Sequence, residues 1–525
     1  MNFDWLIIGS GFGGSTSALR LAEKGYRVGI IEAGRRFEDE DFAASTWQLS
    51  RYFWAPLVGM RGILRTMPYK DVFVLSGAGV GGGSLVYANT LYRAKEAFFD
   101  NPQWADLADW RRELGEHYAT AERMLGVATV PFDSPGDAIL REYAEHCGAA
   151  DTFRHTPVAV FFGEPGEEVA DPYFGGDGPR RTGCTRCGAC MVGCRVGAKN
   201  TLRKNYLWFA EKKGVEILPD RIVTAIEPLG AGDGSDGYRI CMRSPGPFGR
   251  ELPPLTAQGV VVAAGALGTN RLLANCKHRG SLARISDRLG ELVRTNSESI
   301  VAVTMPDDSI DVWNSVAISS SIHTDQDTHI EVVTYGRKAD SMSAIVTLLT
   351  GDGTRWTRLF AWLRAIVRHP ARFAKSLWPF AWSRRTLVLL VMQSLDNAIQ
   401  LRARRRWFGN GVWLRTEQHT DRPNPTYIEA ANKAAEWVAE RYDGIPQSSL
   451  LEATANIPTT AHILGGAVIG RDREHGVVDR DQRVFGYENL LVCDGSTVPA
   501  NPGVNPSLTI VAMTERVMSG IPDKA

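Results

Sequence analysis

The sequence predicts an α/β fold, α+β when both lobes are counted: a Rossmann-like domain on a parallel sheet, joined to a second domain on an antiparallel sheet. Three observations predict it. Residues 4–32 read as strand, glycine turn, helix and strand, closing on Glu32. A second glycine-rich loop, with five glycines in the seven residues 77–83, follows an apolar strand at 72–75. Residues 296–350 alternate apolar and polar, the pattern of a half-buried antiparallel sheet.

The first stretch is the most informative. Residues 5–8 are an apolar run, as in a buried parallel strand. Gly9, Gly11 and Gly14 then fit G-x-G-x-x-G. The first permits a tight turn, the second lets backbone approach a pyrophosphate, and the third lets helix pack close on strand. Ala18, Leu21 and Ala22 share one face of the helix that follows. Its N-terminal N–H groups and positive dipole end suit phosphate. Glu32 ends the second strand, where a carboxylate accepts hydrogen bonds from an adenosine ribose. Together these features indicate a dinucleotide without saying which one.

Composition sets outer bounds. The chain has 525 residues with 59 basic and 59 acidic, enough for two or more lobes, and its zero net charge argues against general nucleic-acid binding. Eight cysteines do not make a disulfide scaffold. The first strand starts by residue 5, so no cleavable signal peptide is expected. No run approaches the roughly 20 apolar residues of a spanning helix; the longest, 387–392, has strand length. These readings lead to the expectation of a cytoplasmic protein with mostly reduced thiols.

Further along, the aromatic residues of 42–70 suggest an irregular covering segment. Residues 101–126 read as an amphipathic helix, with Trp104, Leu107, Trp110 and Leu114 at suitable spacing. Residues 163–183 read as a loop, 202–212 as a helix, and 215–218, 222–226 and 238–242 as strands. The apolar run 259–265 is the return strand of the dinucleotide domain, followed by a helix at 266–275. Residues 351–406 carry twelve Lys/Arg against two Asp. There Trp356, Leu359, Phe360, Leu363, Ile366 and Val367 form one helical face among Arg355, Arg358, Arg364 and Arg368, and a second short helix follows Pro370. Such a pair suits either a membrane interface or a cap packed on the protein.

The stretches GVGGGSLV (79–86), AAGALGTNRLL (263–273), HILGG (462–466) and VCDGSTVPANPGVNPSLTI (492–510) complete a pattern with Gly9–Gly14. In order and spacing the chain resembles the glucose-methanol-choline (GMC) oxidoreductases, and within them the cholesterol oxidase branch, from residue 5 to about 518. The resemblance implies an FAD enzyme. Its FAD-binding domain would be discontinuous (1–37, 71–100, 200–290 and 455–525), and 101–199 with 291–454 would form the substrate domain. Gly9, Gly11, Phe12, Gly14 and Glu32 would hold the ADP half. Gly83, Ser84 and Tyr87 would meet the flavin, although Tyr87 stands where the compared enzymes have Asn. Val223 would bracket the adenine through its backbone, Asp494 would lie near the ribityl-pyrophosphate, and Asn505, Pro506 and Ser507 by the flavin ring. Some relatives attach FAD through a His. None occurs before residue 117, so non-covalent FAD is expected.

Alcohol oxidation needs a group that takes the hydroxyl proton. His462, just before a glycine pair, can do this directly or through water. Asn505 opens a helix and can bond the substrate oxygen or the cofactor. Glu331, in THIEVVTYG, resembles the carboxylate that shifts a steroid double bond; alternation along the strand also allows it to face solvent instead. Cys184, Cys187, Cys190 and Cys194 are separated by two, two and three residues, the ferredoxin-type run, with Gly183, Gly188 and Gly193 interleaved. Arg195 replaces the usual following proline, and there is no second run. An Fe–S cluster, a zinc site and inert loop thiols all stay open. The leading expectation is an FAD-dependent oxidase or dehydrogenase of a secondary alcohol on a sterol-like, lipophilic substrate, with or without double-bond isomerisation. The alternatives are a redox-neutral isomerase using Glu331, and a flavin/Fe–S electron-transfer protein. The expected partners are the lipophilic substrate, a membrane surface at 351–406 and an electron-acceptor protein, but not nucleic acid.

Overall fold

The computed structural model describes residues 1–406 and 411–525. Its first sheet has strand order Glu216–Leu218, Val28–Ile31, Phe3–Ile8, Glu251–Val262, Tyr238–Arg243, Ile222–Pro228. The first four are parallel; Tyr238–Arg243 runs antiparallel to them, and Ile222–Pro228 pairs antiparallel with Tyr238–Arg243. The twelve-residue strand Glu251–Val262 changes partner along its length. Thr256 and Ala257 pair with Tyr238–Arg243, whereas Val260, Val261 and Val262 pair with Leu490–Val492. Sequence reading saw only its buried half, because residues 251–256 are largely exposed and carry two prolines. Leu6, Ile7, Ile30 and Val261 are fully buried at the centre of this core. Helix Phe12–Glu23 packs against Tyr206–Lys212 and Ser507–Ser519, and the last of these against Trp110–Leu125.

The second large sheet is antiparallel, in the order Val346–Leu348, Ile445–Ser449, Ser299–Thr304, Thr386–Gln393, Thr328–Val333, Ile318–His323, Arg154–His155. It is not half-buried as expected: all six residues of Thr328–Val333 are buried. One face, with Val301, Ile330, Val332 and Leu389, packs on the helices Pro135–His146 and Glu429–Arg441. The other, with Ala302, Val333, Val388 and Leu390, packs on Phe37, Tyr52, Leu64 and Trp382. The alternation therefore separates two buried faces, and the second of them looks toward the first domain.

Other local readings change for identifiable reasons. The helix expected over 101–126 begins only at Trp110, because Asp109 caps it by accepting from the Arg112 N–H at 3.3 Å. Trp104 belongs to the preceding turn, where its ring stacks on Trp110 at 4.3 Å. The segment 202–212 breaks at Asn205, whose side chain accepts from the Tyr206 N–H. The region 42–70 is more ordered than expected: Leu64–Pro68 pairs with Phe73–Gly77.

The basic insert forms helices Arg355–Arg368 and Pro370–Ser376. Its apolar ridge does not pack inward: Trp356, Phe360 and Val367 are 64%, 66% and 80% exposed. The buried residue is Arg358, whose guanidinium donates to Thr426 O at 2.7 Å and to Glu452 Oε1 at 3.2 Å. Among the described residues no helix is long and apolar enough to cross a membrane.

Candidate active site

A cleft of about 1030 Å³ runs between the two sheets. Gly9, Gly11, Phe12, Glu32, Gly83, Tyr87 and Val223 line it. Asp494, Asn505, Pro506, Ser507 and His462 also line it. The first turn is sterically committed. Gly9 has φ +105°, and a Cβ at Gly14 would lie 2.0 Å from the Gly9 carbonyl oxygen. A Cβ at Gly11 would meet nothing within 4 Å, so that side is open for a ligand.

Three helices begin at this cleft: Phe12–Glu23 after Gly11, Ala266–Arg279 after Gly265, and Ser507–Ser519 after Pro506. None has a capping side chain or an acid in its first turn. The helices Trp110–Leu125, Pro135–His146 and Arg355–Arg368, by contrast, are capped by Asp109, Ser134 and Thr354. Helix N-termini left without caps need another partner for their N–H groups, and here all three face one cavity.

The carboxylates near them are held by the protein. Glu32 accepts from the Ser10 N–H and Oγ–H at 3.1 and 2.7 Å and from the Gly34 N–H at 2.8 Å. Asp494 accepts from the Gly265 N–H and the Thr269 hydroxyl through one oxygen, and from the Ser496 N–H and hydroxyl through the other. Burial pushes the Asp494 carboxyl above its ordinary range, against these hydrogen bonds. Tyr87 donates to Asn200 O at 2.8 Å and sets its ring edge-on to Phe12.

Two of the expected contacts turn away from the cleft. Gly14 packs on the turn, and Ser84 is fully buried, donating to Gly81 O at 2.7 Å and accepting from the Leu202 N–H at 3.0 Å. Ser84 thus shapes the second glycine loop from behind.

The three residues expected to do chemistry converge. Glu331 is fully buried, and Asn505 donates through Nδ2 to its Oε2 at 3.3 Å. It sits on the cleft-side face of its strand, opposite Leu390, so the solvent-facing alternative does not hold. Burial pushes its carboxyl up to about 8, with the neighbouring His462 charge and the Asn505 hydrogen bond pulling the other way. His462 directs Nδ1 to the buried Glu298 carboxylate. Burial opposes charge on this ring, but Glu298 outweighs it and holds the imidazole above its usual range. With Nδ1–H fixed by a carboxylate, Nε2 is left as the ring's proton acceptor.

Sequence reasoning missed Glu298, His329 and Arg65. Glu298 lies 164 residues before His462, and its other oxygen accepts from the Ala461 N–H at 2.8 Å. His329 faces Glu331 Oε1 at 3.4 Å, and burial holds it neutral, down to about 3. Neither its nitrogens nor Glu331 Oε1 has a hydrogen-bond partner. The alternation of Thr328–Val333 already put His329 on the Glu331 face. Arg65 lines the cleft from a segment that looked irregular, and its Nε has no partner.

The four cysteines of 184–194 are free thiols lining one separate small pocket. Among the described residues, the one group of three His, Cys, Asp or Glu ligand atoms within 4.8 Å of one another is Asp133, Asp137 and His155. Asp137 is already engaged by Ser319, Ser320 and the Ser134 N–H.

A parallel sheet whose glycine turn and bare helix ends face a dinucleotide-sized cleft, against an antiparallel sheet carrying a buried acid, defines a flavin-type oxidoreductase. The profile of the family described as FAD dependent oxidoreductase matches residues 4–336, and that described as GMC oxidoreductase matches 395–514. The chain is 48% identical over 534 residues to a cholesterol oxidase of Mycobacterium tuberculosis, covering 100% of this chain and 92% of that one. It is 45% identical over 530 residues to a cholesterol oxidase of Acinetobacter baumannii, covering 100% and 95%. Among solved structures, pyridoxine 4-oxidase from "Mesorbium loti" shares the fold, with a TM-score of 0.63 at 15% identity over 99% of both chains. The chain belongs to the GMC oxidoreductase family of FAD-dependent enzymes. The residues present fit FAD: the open side of Gly11, the unpaired Arg65 Nε and the three bare helix ends are the groups a pyrophosphate and a flavin need.

Proposed function

We propose that this enzyme oxidises the secondary alcohol of a sterol-like lipid to the ketone, and that the same site then moves a proton to shift a neighbouring double bond into conjugation. The observation that carries the reading is the pair His462 and Asn505 on the cleft, with buried Glu331 bonded to Asn505 and Glu298 behind the histidine. The similarity to proteins named cholesterol oxidase supports the substrate class. So does the apolar wall of the cleft, which includes Ile318, Val333, Met342, Trp382, Val388 and Leu390.

FAD, when bound, supplies the acceptor for the carbinol hydride. The chain does the rest. His462 Nε2 takes the hydroxyl proton, and Glu298 stabilises the charge that the ring gains. Asn505 spans from the cleft to Glu331 and orients the substrate oxygen. Glu331, protonated near neutral pH, can give a proton and take another back, as an isomerising acid–base group must. Gly9, Gly11, Phe12, Glu32 and Val223 bind the ADP half, and Gly83, Tyr87, Asp494, Pro506 and Ser507 the flavin half. In this reading FAD binds non-covalently: among the described residues the lining carries one histidine, His462, which is given to proton transfer. The exposed ridge of 355–368 rests beside Val346–Leu348, whose Val346 lines the cleft, and so would deliver a lipid from a membrane surface.

The test is anaerobic mixing of the purified flavoprotein with detergent-dispersed cholesterol. Bleaching of the flavin together with a conjugated ketone product is expected. Conversion of a pre-formed unconjugated ketone with cholesterol left untouched would instead mark a redox-neutral isomerase, and no change with either sterol would overturn the proposal.

A further inference from the structure

The reading so far leaves four cysteines unused. Cys184, Cys187, Cys190 and Cys194 line one pocket, together with Val160, Val196, Ala198 and Lys199. The loop is shaped for that convergence. Gly188 and Gly193 have φ +66° and +100°, and a Cβ at Gly193 would lie 2.4 Å from the Phe42 ring. Arg195, in the place of a proline, fastens the loop end by donating to the carbonyls of Glu40 and Phe42.

Polar groups around the pocket await negative charge. Asn89 is fully buried, neither atom of its amide has a hydrogen-bond partner, and it faces the Cys190 sulfur. Lys199 is buried, with its ammonium donating to Leu85 O, Tyr87 O and Cys190 O at 2.9 Å each. Arg181 is buried near Cys194, and its Nε and Nη1 have no partner. Among the described residues no carboxylate is in ion-pair contact with Lys199 or Arg181. Thiolates bound to metal would supply the missing charge, and the Arg186 N–H already points at Cys184 Sγ, at 3.4 Å.

We infer that this pocket binds one iron–sulfur cluster through Cys184, Cys187, Cys190 and Cys194, and that the cluster passes electrons from the flavin cleft to a one-electron carrier protein. The proposal rests on the FAD-dependent alcohol oxidation above. Zinc fits less well. Tetrahedral Zn–S bonds of about 2.3 Å draw the sulfurs to roughly 4 Å apart, yet no three of these thiols lie within 4.8 Å of one another. A cluster spreads its thiolates over separate irons, and the two-two-three spacing is the one such clusters use. The pocket also lies beside the cleft. Cys190 is followed by Met191, which lines the cleft, and Lys199 clips Cys190 to residues 85 and 87 of the second glycine loop. On the outer side Thr185 and Arg186 are exposed, where a carrier protein can dock. The balance is simple. Each alcohol oxidised to a ketone releases two electrons and two protons; the protons go to solvent, and the electrons leave singly to two carrier molecules.

The test is to purify the full chain anaerobically and measure FAD, iron, acid-labile sulfide and zinc. About four irons and four sulfides per FAD are expected, with a low-temperature paramagnetic signal on dithionite reduction. Zinc in their place, or no iron even after reconstitution with ferrous iron and sulfide, overturns the cluster. The Cys187→Ser/Cys190→Ser variant should retain FAD and be bleached by sterol as before, but should reduce cytochrome c at least about tenfold more slowly. Equal rates would overturn the relay. Iron present in a protein that no sterol bleaches would leave the cluster standing and remove the sterol reading instead.

Discussion

Two carboxylates flank His462, and their surroundings give them different work. Glu298 accepts from the imidazole Nδ1 and the Ala461 N–H, so it remains a charge partner. Glu331 has a single hydrogen bond, from Asn505, and burial keeps its proton on. Because Glu298 raises the imidazole pKa and the proposed mechanism uses the neutral ring as base, Glu298→Gln should move the acidic limb of the kcat/KM–pH profile to lower pH. An unmoved limb would detach Glu298 from the chemistry. Glu331 gives a second pH effect. A carboxyl raised from 4.5 to about 8 on folding holds its proton more tightly in the native state. Stability should therefore fall as pH rises between those values, by a few kcal/mol at most. Glu331→Gln should abolish that fall in thermal melts and abolish isomerisation, while leaving sterol-driven flavin bleaching. His462, Asn505 and Glu331 were legible because each lies in a short recognisable string. Glu298 was not, since its meaning depends on a partner 164 residues away that only the fold brings near.

At the scale of elements, the legible parts were those whose constraint is local. The glycine turn and the helix after it follow from sterics within a dozen residues, and the structure places them as read. The elements misread were those whose burial is decided elsewhere. Thr328–Val333 looked half-exposed because its alternation is real, but both of its faces are covered, by Pro135–His146 on one side and by the aromatic segment around Tyr52 on the other. Trp104, Leu107 and Trp110 imitate a helical stripe, yet the first two precede the helix. The turn supplies a direct test. Gly14→Ala places a Cβ 2.0 Å from the Gly9 carbonyl oxygen, so helix Phe12–Glu23 must shift away from the place where, in the proposed binding mode, its N-terminus would meet phosphate. A loss of about 1–3 kcal/mol in stability is expected from such overpacking, together with weaker FAD retention on gel filtration. Full FAD occupancy at wild-type stability would show that the helix is free to give.

For the whole molecule, the feature that composition exposed but could not orient is the basic insert. Its periodicity was plain, and both a packed cap and a membrane face satisfied it. The structure turns the apolar ridge outward and anchors the helix through Arg358, an arrangement opposite to that of a helix packed on a core. Around the exposed Trp356, Phe360, Leu363 and Val367 stand the exposed Arg355, Arg364, Arg368, Arg372 and Lys375. Leu57 and Val58, at 68% and 70% exposure, add apolar surface at the edge of the cleft itself. A surface with apolar side chains at its centre and cations at its rim is the pattern an anionic bilayer would accept on the proposed reading, acyl chains taking the ridge and headgroups the charges. Replacing Trp356, Phe360 and Val367 together by Ser removes most of the apolar contact and leaves Arg358 and the cleft untouched. Co-sedimentation with vesicles of phosphatidylglycerol, phosphatidylcholine and cholesterol should fall by tenfold or more, about 1.4 kcal/mol or above. Turnover of vesicle-borne sterol should fall with it, while turnover of detergent-dispersed sterol stays level. The split between the two substrates separates delivery from chemistry: equal losses would place the ridge's effect on folding or the cleft, and unchanged sedimentation would leave this surface to a protein rather than to lipid.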